Sequence, residues 1–360
     1  MFTALQRRIV WFVWALALFG TLGFGARAET LVVPLIDRPG ENLYCETVGR
    51  AIDDAEISID ALLASIDADA NLLVDALVRA TNRGVAVRVM VDTSDWSSDI
   101  RRKGEEAVSA LRDLGLDARL DDPAVTTHAK LVVIDRETVI LGSTNWNAYA
   151  FTEHEQADVL IDDPDVAAVF ADAFERVWGG SQTAGDASID LTAAAGPAIL
   201  PLPDADGSVL CGRLVLELLS RATTSVHLAM YRMSVYPTYT DSLSNALVSA
   251  LVAAAGRGAE VRVLLDDCRF YTESAEANLA SAITLHQRGI EVRFDDPEDT
   301  MHAKLVIVDG TSVVLGSTNW NYYSLERNVE ANVAFLAIPE VAAAYEALFA
   351  RLWQEGRPID

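Results

Sequence analysis

The sequence predicts a duplicated α/β protein: two α/β/α sandwich domains related by a pseudo-two-fold axis and sharing one site. Three observations carry this expectation. The string HAKLVVID, holding His128, Lys130 and Asp135, returns as HAKLVIVD, with His302, Lys304 and Asp309, 174 residues further on. Flanking segments repeat at the same offset, RGVAVRVMVD at 83–92 with RGAEVRVLLD at 257–266, and LGLDARLDDP at 114–123 with RGIEVRFDDP at 288–297. Between these, apolar runs of strand length alternate with helical patterns of about 12 to 15 residues, as βαβ units require.

In order along the first copy, the pattern predicts helix 42–55, strand 57–63, helix 70–83, strand 85–92, helix 103–115 and strand 117–121. Paired strands 129–135 and 138–142, strand 157–161 and helix 164–178 complete it. The second copy repeats the order. Runs such as LVVI and VVL have no polar face, which implies a sheet covered by helices on both sides. ISIDALLAS at 57–65 aligns with VHLAMYRMS at 226–234 at an offset of 169, so the second copy is expected to gain five residues around Tyr236 to Asp241.

Residues 1–28 read differently. Arg7 and Arg8 precede the apolar stretch IVWFVWALALFGTLGFG, which ends in Ala26-Arg27-Ala28. That is the layout of a secretory signal peptide, or of an uncleaved anchor, and it predicts an exported body. Residues 29–180 and 206–360 are then the two domains, joined by a linker at 181–205 rich in Gly, Ala and Pro.

The chain carries a formal charge of −25, and −28 once residues 1–28 are removed. A field of that sign opposes nucleic acid and anionic surfaces unless local basic groups compensate. Arg101-Arg102-Lys103 is the only basic run, and Glu105-Glu106 follow it. Cys45, Cys211 and Cys268 lack metal-ligand spacing, and the first two precede or open equivalent helices as duplicated core residues.

The chemistry lies in the repeated motif. Residues two apart on a strand share a face, so His128 projects with Lys130, and His302 with Lys304. Asp135 and Asp309, seven residues after each histidine, fall on the opposite face and are expected to hold the hairpin. Each copy continues into GSTNWN, where Gly142 and Gly316 permit a tight turn and Ser143, Asn145, Ser317 and Asn319 can donate to a phosphate. Two facing half-sites supply what one cannot: a histidine to attack phosphorus in line and a second to protonate the departing oxygen. Two Lys and two Asn would compensate the moving charge, with no metal or other cofactor. His154, His227 and His286 have no repeated partner and are expected in surface or satisfied core positions. Trp146 and Trp320 are expected to pack, whereas Trp96, Phe270, Tyr231, Tyr236 and Tyr239 are candidates for a pocket rim.

The doubled pattern HxKx4Dx6GSxN resembles the phospholipase D superfamily over nearly all of residues 40–355. The resemblance implies that a Glu about ten residues beyond each GSxN turn orients a histidine, matched here to Glu155 and Glu330, and that His128 is the nucleophile and His302 the acid. It also implies that the family's Asn, kept as Asn328, is replaced by His154 in the first copy. The implied activity is a phospholipase-D-type phosphodiesterase that hydrolyses or transfers phospholipid head groups at a membrane surface, functional as a monomer. The alternatives are a secreted endonuclease or exonuclease of the same superfamily, a cardiolipin-synthase-like transferase, and a non-catalytic binding module.

Overall fold

The structure, a computed structural model, describes residues 16–17, 30–68, 72–95, 97–182, 196–267 and 271–359. Trp96, Phe270, Cys268, most of residues 1–28 and the middle of the expected linker lie outside the described residues. Each half is a mixed sheet. The first runs, edge to edge, Leu16–Ala17, Leu31–Asp37, His154–Asp162, Thr138–Gly142, Lys130–Ile134, Ser58–Leu63, Ala86–Val91 and Asp117–Leu120. The second runs Arg357–Pro358, Glu291–Phe294, Glu260–Leu265, Ser225–Met230, Lys304–Val308, Ser312–Gly316, Glu330–Leu336 and Ala198–Asp204. Helices Leu43–Asp54, Leu72–Asn82 and Ser98–Asp113 cover the outer face of the first sheet, and Leu210–Arg221, Leu243–Gly256 and Thr272–His286 that of the second. Between the sheets lie Pro164–Trp178 and Pro339–Glu355, whose Phe170, Phe174, Tyr345 and Phe349 join strand residues of both halves in one central core. Burial on both faces explains why the central strands carry unbroken apolar runs.

Two expectations need correction. Ala198–Asp204 falls within the segment read as linker, yet it is the edge strand of the second sheet, paired antiparallel with Glu330–Leu336. Pro201 and Pro203 disguise it; an edge strand tolerates proline because one side of its backbone needs no partner. Its counterpart Leu31–Asp37 pairs with His154–Asp162. Both strands end on an aspartate, Asp37 and Asp204, that accepts the first backbone N–H groups of the next helix.

The second correction concerns register. Ala64 donates its backbone N–H to Ala129, and Tyr231 donates its own to Ala303, so Tyr231 occupies the place of Ala64. The offset there is 167, not 169, and the second copy gains seven residues rather than five. A slip of two residues preserves which side chains face the core, so the apolar pattern could not reveal it. The insertion packs on helix Tyr322–Glu326, where Tyr236 Oη accepts the Tyr322 N–H at 3.0 Å and Tyr239 meets the Tyr322 ring edge-on.

The halves meet reciprocally. Thr127 bridges Val329 in parallel, and Met301 pairs with Glu155 in the same sense. His128 N–H donates to the Val329 carbonyl at 2.8 Å, and His302 N–H to the Glu155 carbonyl at 2.9 Å. Both contacts exchange residues 174 apart, as an approximate two-fold axis requires.

Candidate active site

That reciprocal seam brings the two histidines to one place. Each stands just before a central strand, Lys130–Ile134 or Lys304–Val308, and each lysine turns its Nζ onto the carbonyl of its own histidine. Both lysines are buried. Burial lowers Lys130 to about 8, and burial together with the Lys130 charge holds Lys304 well below the ordinary lysine value. The charges of Lys130 and Lys304 are felt at both histidines, as they must be where the half-sites adjoin.

Asp135 and Asp309 stay out of this pocket. Asp135 accepts the backbone N–H groups of Glu56, Ile57 and Ser58 at 2.9, 2.7 and 2.8 Å, and Asp309 those of Thr223, Thr224 and Ser225. Each ties a hairpin to the start of the neighbouring strand, with its own backbone at positive φ. Gly142 and Gly316 are required by close approach: a Cβ on either would lie 2.4 to 2.6 Å from the Cα of the neighbouring strand, at Asp158 and Asn332.

The groups behind the histidines differ from expectation. His128 Nδ1 meets both Glu330 oxygens, at 3.0 and 3.2 Å, across the seam. Glu330 is fully buried and also accepts from Ser317 Oγ and from Asn328 Nδ2 at 3.2 Å. Burial pushes its carboxyl up, but the His128 and Lys130 charges outweigh this and hold it below the usual value. Glu155 has no such role. Its carboxylate forms a two-pronged pair with Arg351 at 2.6 and 2.8 Å, and the residue at the Glu330 position is Gln156. The reciprocal backbone contacts match Glu155 with Val329, so the next residue, Gln156, matches Glu330. In the string HEQ the one acid stands a residue before the position equivalent to Glu330, and adjacent residues point to opposite faces of a strand.

His302 Nδ1 therefore rests on the Ser143 carbonyl at 2.9 Å and on Gln156 Oε1 at 3.3 Å, with no carboxylate. Burial, then Lys304 and His154, hold it well below the ordinary imidazole value. For His128, burial lowers the ring, partly offset by Glu330. The serines expected to face a phosphate do not. Ser143 Oγ donates to Gln156 at 2.7 Å, Ser317 Oγ to Glu330, and each accepts the next strand's N–H. They aim the residues that aim the histidines. Asn145 and Asn319 differ: their side-chain oxygens are buried and hydrogen-bond to no described residue.

One site residue escaped the sequence reading, and Tyr231, a candidate for the pocket rim, stands beside it. His154, expected at the surface or in a satisfied core, lies 5.6 Å from His302 between ring centroids, and its Nδ1 is buried with no hydrogen-bond partner among the described residues. Tyr231 packs edge-on against His302 at 4.6 Å and lays its ring under the Lys304 ammonium at 4.8 Å. The replacement of Asn328's counterpart by a histidine was the available signal for His154. Trp146 packs as expected, buried and donating to Tyr44 Oη, whereas His227 is only half satisfied: its Nδ1 pairs with Glu346 at 2.7 Å and its ring stacks on Phe349, but its buried Nε2 has no hydrogen-bond partner among the described residues. Cys45 and Cys211 are free, buried thiols in the first turns of equivalent helices.

The chain matches the family described as "Cardiolipin synthase, PLD-like domain" twice, over residues 48–178 and 215–353. It is 32% identical over 158 residues to a protein named mitochondrial cardiolipin hydrolase from Xenopus tropicalis, a match covering 44% of this chain and 67% of that protein. It is 29% identical over 135 residues to a phospholipase D from Rickettsia typhi, covering 38% of this chain and 59% of the relative. Its fold is similar to the crystal structure of phosphatidylserine synthase from Haemophilus influenzae, with TM-score 0.65 and 14% identity over 91% of this chain and 87% of the other. The exported or anchored localisation expected from residues 1–28 is corrected and set aside. The centre of that segment, Leu16–Ala17, is a short strand paired with Val32 and Leu31, no helix among the described residues is long and apolar enough to cross a membrane, and the relatives include proteins named mitochondrial. Two matched domains, each bringing a His-x-Lys strand and a GSxN turn to one shared pocket, make this chain a member of the phospholipase D superfamily of phosphodiesterases.

Proposed function

We propose that the protein hydrolyses phospholipid head groups at a membrane surface, as a monomer, through a phosphohistidine formed on His128. One observation carries the assignment of roles: of two histidines in equivalent positions, only His128 is backed by a carboxylate. When His128 Nε2 attacks phosphorus, its ring goes from neutral to cationic, and Glu330 is stabilising mainly after that change. When His302 protonates the leaving oxygen, its ring goes from cationic to neutral. A neutral Gln156 partner, with Lys304 and His154 nearby, favours that loss. Catalysis comes from contacts that are stronger in the transition state, and the unlike partners meet that condition on both sides.

The bonds balance in two steps. The P–O bond to the head group breaks as the His128 N–P bond forms, and the His302 proton passes to the departing oxygen. Water then gives a proton to His302 and attacks phosphorus, and the N–P electron pair returns to His128. An alcohol in place of water gives head-group transfer. Lys130 and Lys304 offset the phosphoryl charge, and the side-chain N–H groups of Asn145 and Asn319 can donate to its oxygens. The arriving phosphodiester anion offsets the two ammonium groups and allows His302 to carry its proton.

Charge supports lipid over nucleic acid. At −25 the chain repels polyanions, and in its only basic run Arg101 pairs with Asp95 and Arg102 with Asp99 and Glu106. The deciding experiment incubates purified protein with phospholipid vesicles and, separately, with single- and double-stranded DNA. Lipid turnover that disappears in both His128→Ala and His302→Ala is expected; DNA cleavage without lipid turnover refutes the proposal.

A further inference from the structure

The two half-sites differ in what surrounds each histidine as well as in what lies behind it. Where the His302 side has Tyr231, His154 and Gln156, the His128 side has Ala64, Asn328 and Glu330. The His128 side chain keeps 23% of its surface exposed, whereas His302 is walled in by the Tyr231 and His154 rings. Asn328 is committed, donating to Glu330; His154 makes no equivalent bond and leaves a buried ring nitrogen unsatisfied among the described residues.

In-line displacement puts the attacking atom and the leaving group on opposite sides of phosphorus. With His128 attacking, as proposed above and on which this inference rests, the leaving alcohol must sit against the His302 side. We infer that His154 and Tyr231 form the leaving-group subsite, and that His154 Nδ1 hydrogen-bonds a hydroxyl of a neutral, polyhydroxylated leaving group such as glycerol, selecting it over a cationic head group. Three features exclude the cation. The Tyr231 face that could receive an ammonium by cation–π contact already carries Lys304 at 4.8 Å. The position from which a carboxylate could pair with an ammonium is Gln156, and Glu155 is turned away onto Arg351. Lys130 and Lys304 add repulsion. A hydroxyl meets none of these obstacles and can pair with His154 Nδ1, which has no hydrogen-bond partner among the described residues. Burial, helped by Lys304, lowers His154 to about 4, so its ring is neutral and its nitrogen is free to accept at neutral pH. A site that leaves a buried polar atom unpaired discriminates against ligands that cannot reach it.

The test compares kcat/KM for dihexanoyl phosphatidylglycerol and dihexanoyl phosphatidylcholine below their micelle-forming concentrations, so that surface charge does not enter, with a dinucleotide diester as a third substrate. Wild type is expected to prefer the glycerol lipid by about tenfold, the ratio that about 1.4 kcal/mol gives. His154→Asn, which installs the residue of the other half-site, should collapse that ratio toward one, and His154→Gln should restore part of it. A merely structural defect would lower both lipid rates and leave the ratio intact. Equal turnover of the two lipids by wild type, or a ratio unmoved in His154→Asn, refutes the subsite and leaves the phospholipase reading standing. Turnover of neither lipid, or of the dinucleotide alone, refutes both.

Discussion

Replacing Glu330 by Gln keeps the shape of the side chain and removes one buried negative charge 3.0 Å from His128 Nδ1. Two unit charges about 4 Å apart interact by about 4 kcal/mol at an effective dielectric constant of about 20. The amide oxygen still accepts a neutral hydrogen bond worth about 1 kcal/mol. The deficit of about 3 kcal/mol falls on the state in which His128 is cationic, which is the phosphohistidine and the transition state leading to it. Its formation should slow by about 150-fold. The suitable assay is single-turnover formation of the phosphoenzyme from bis(4-nitrophenyl) phosphate, quenched into alkali, where phosphohistidine survives. Nitrophenolate leaves without needing a proton, so the rate isolates the attacking half-site. A Glu330→Gln rate within about threefold of wild type, in protein whose thermal melt is unchanged, would mean that the carboxylate does not stabilise the attacking ring. Label appearing on the His302 peptide would invert the assignment of roles.

Gln156→Glu makes the opposite change. A carboxylate beside His302 favours its cation, so the alkaline limb governed by that acid should move up by about 1 to 2 pH units in a rate profile; an unmoved limb would remove His302 from the proton-transfer step. Lys130, lowered by burial to about 8, is charged below that pH and neutral above it, so KM for a phosphodiester should rise as pH passes about 8 while kcat changes less. A flat KM through pH 9 would show that Lys130 does not bind the phosphoryl group. Asp135→Ala strips acceptors from three backbone N–H groups, two of them on exposed residues that water can reach, and should cost about 2 kcal/mol in urea unfolding. Asp135→Asn should cost less, because asparagine tolerates the positive φ there and keeps one acceptor; equal losses would contradict the tether.

The duplication, the order of elements and the motif residues were legible because each is written at a fixed offset in strings whose chemistry and periodicity are unambiguous. What was not legible lies at points where the copies have diverged or where the strand period hides an error. A two-residue slip in the Ser225–Met230 strand left its apolar face unchanged, and so concealed that Tyr231 replaces Ala64 at the pocket wall. A one-residue slip assigned a histidine's support to Glu155, because the substitution of Gln at 156 left a neighbouring acid to be mistaken for it. The serine hydroxyls could not be assigned from sequence at all, since their partners, Gln156 and Glu330, stand on the next strand, 13 residues away.

These divergences fall on one side of the site. The His128 half keeps Glu330, Asn328 and Ser317 in a connected hydrogen-bonded set, each member satisfied by the next. In the His302 half the equivalent set has lost its charge at Gln156 and its amide at His154, and has gained an aromatic wall. A perfectly symmetric duplicate would give both histidines the same proton affinity, and neither would be favoured to attack or to protonate. Single-chain duplication frees the two halves to differ, and here the differences lie where opposite changes of charge must occur. If both half-sites were restored to one pattern by Gln156→Glu with His154→Asn, the two rings should become interchangeable as nucleophiles, and phosphoryl label should appear on both His128 and His302 peptides. Label confined to His128 in that double variant would show that direction is set elsewhere, with Tyr231 the remaining difference between the walls.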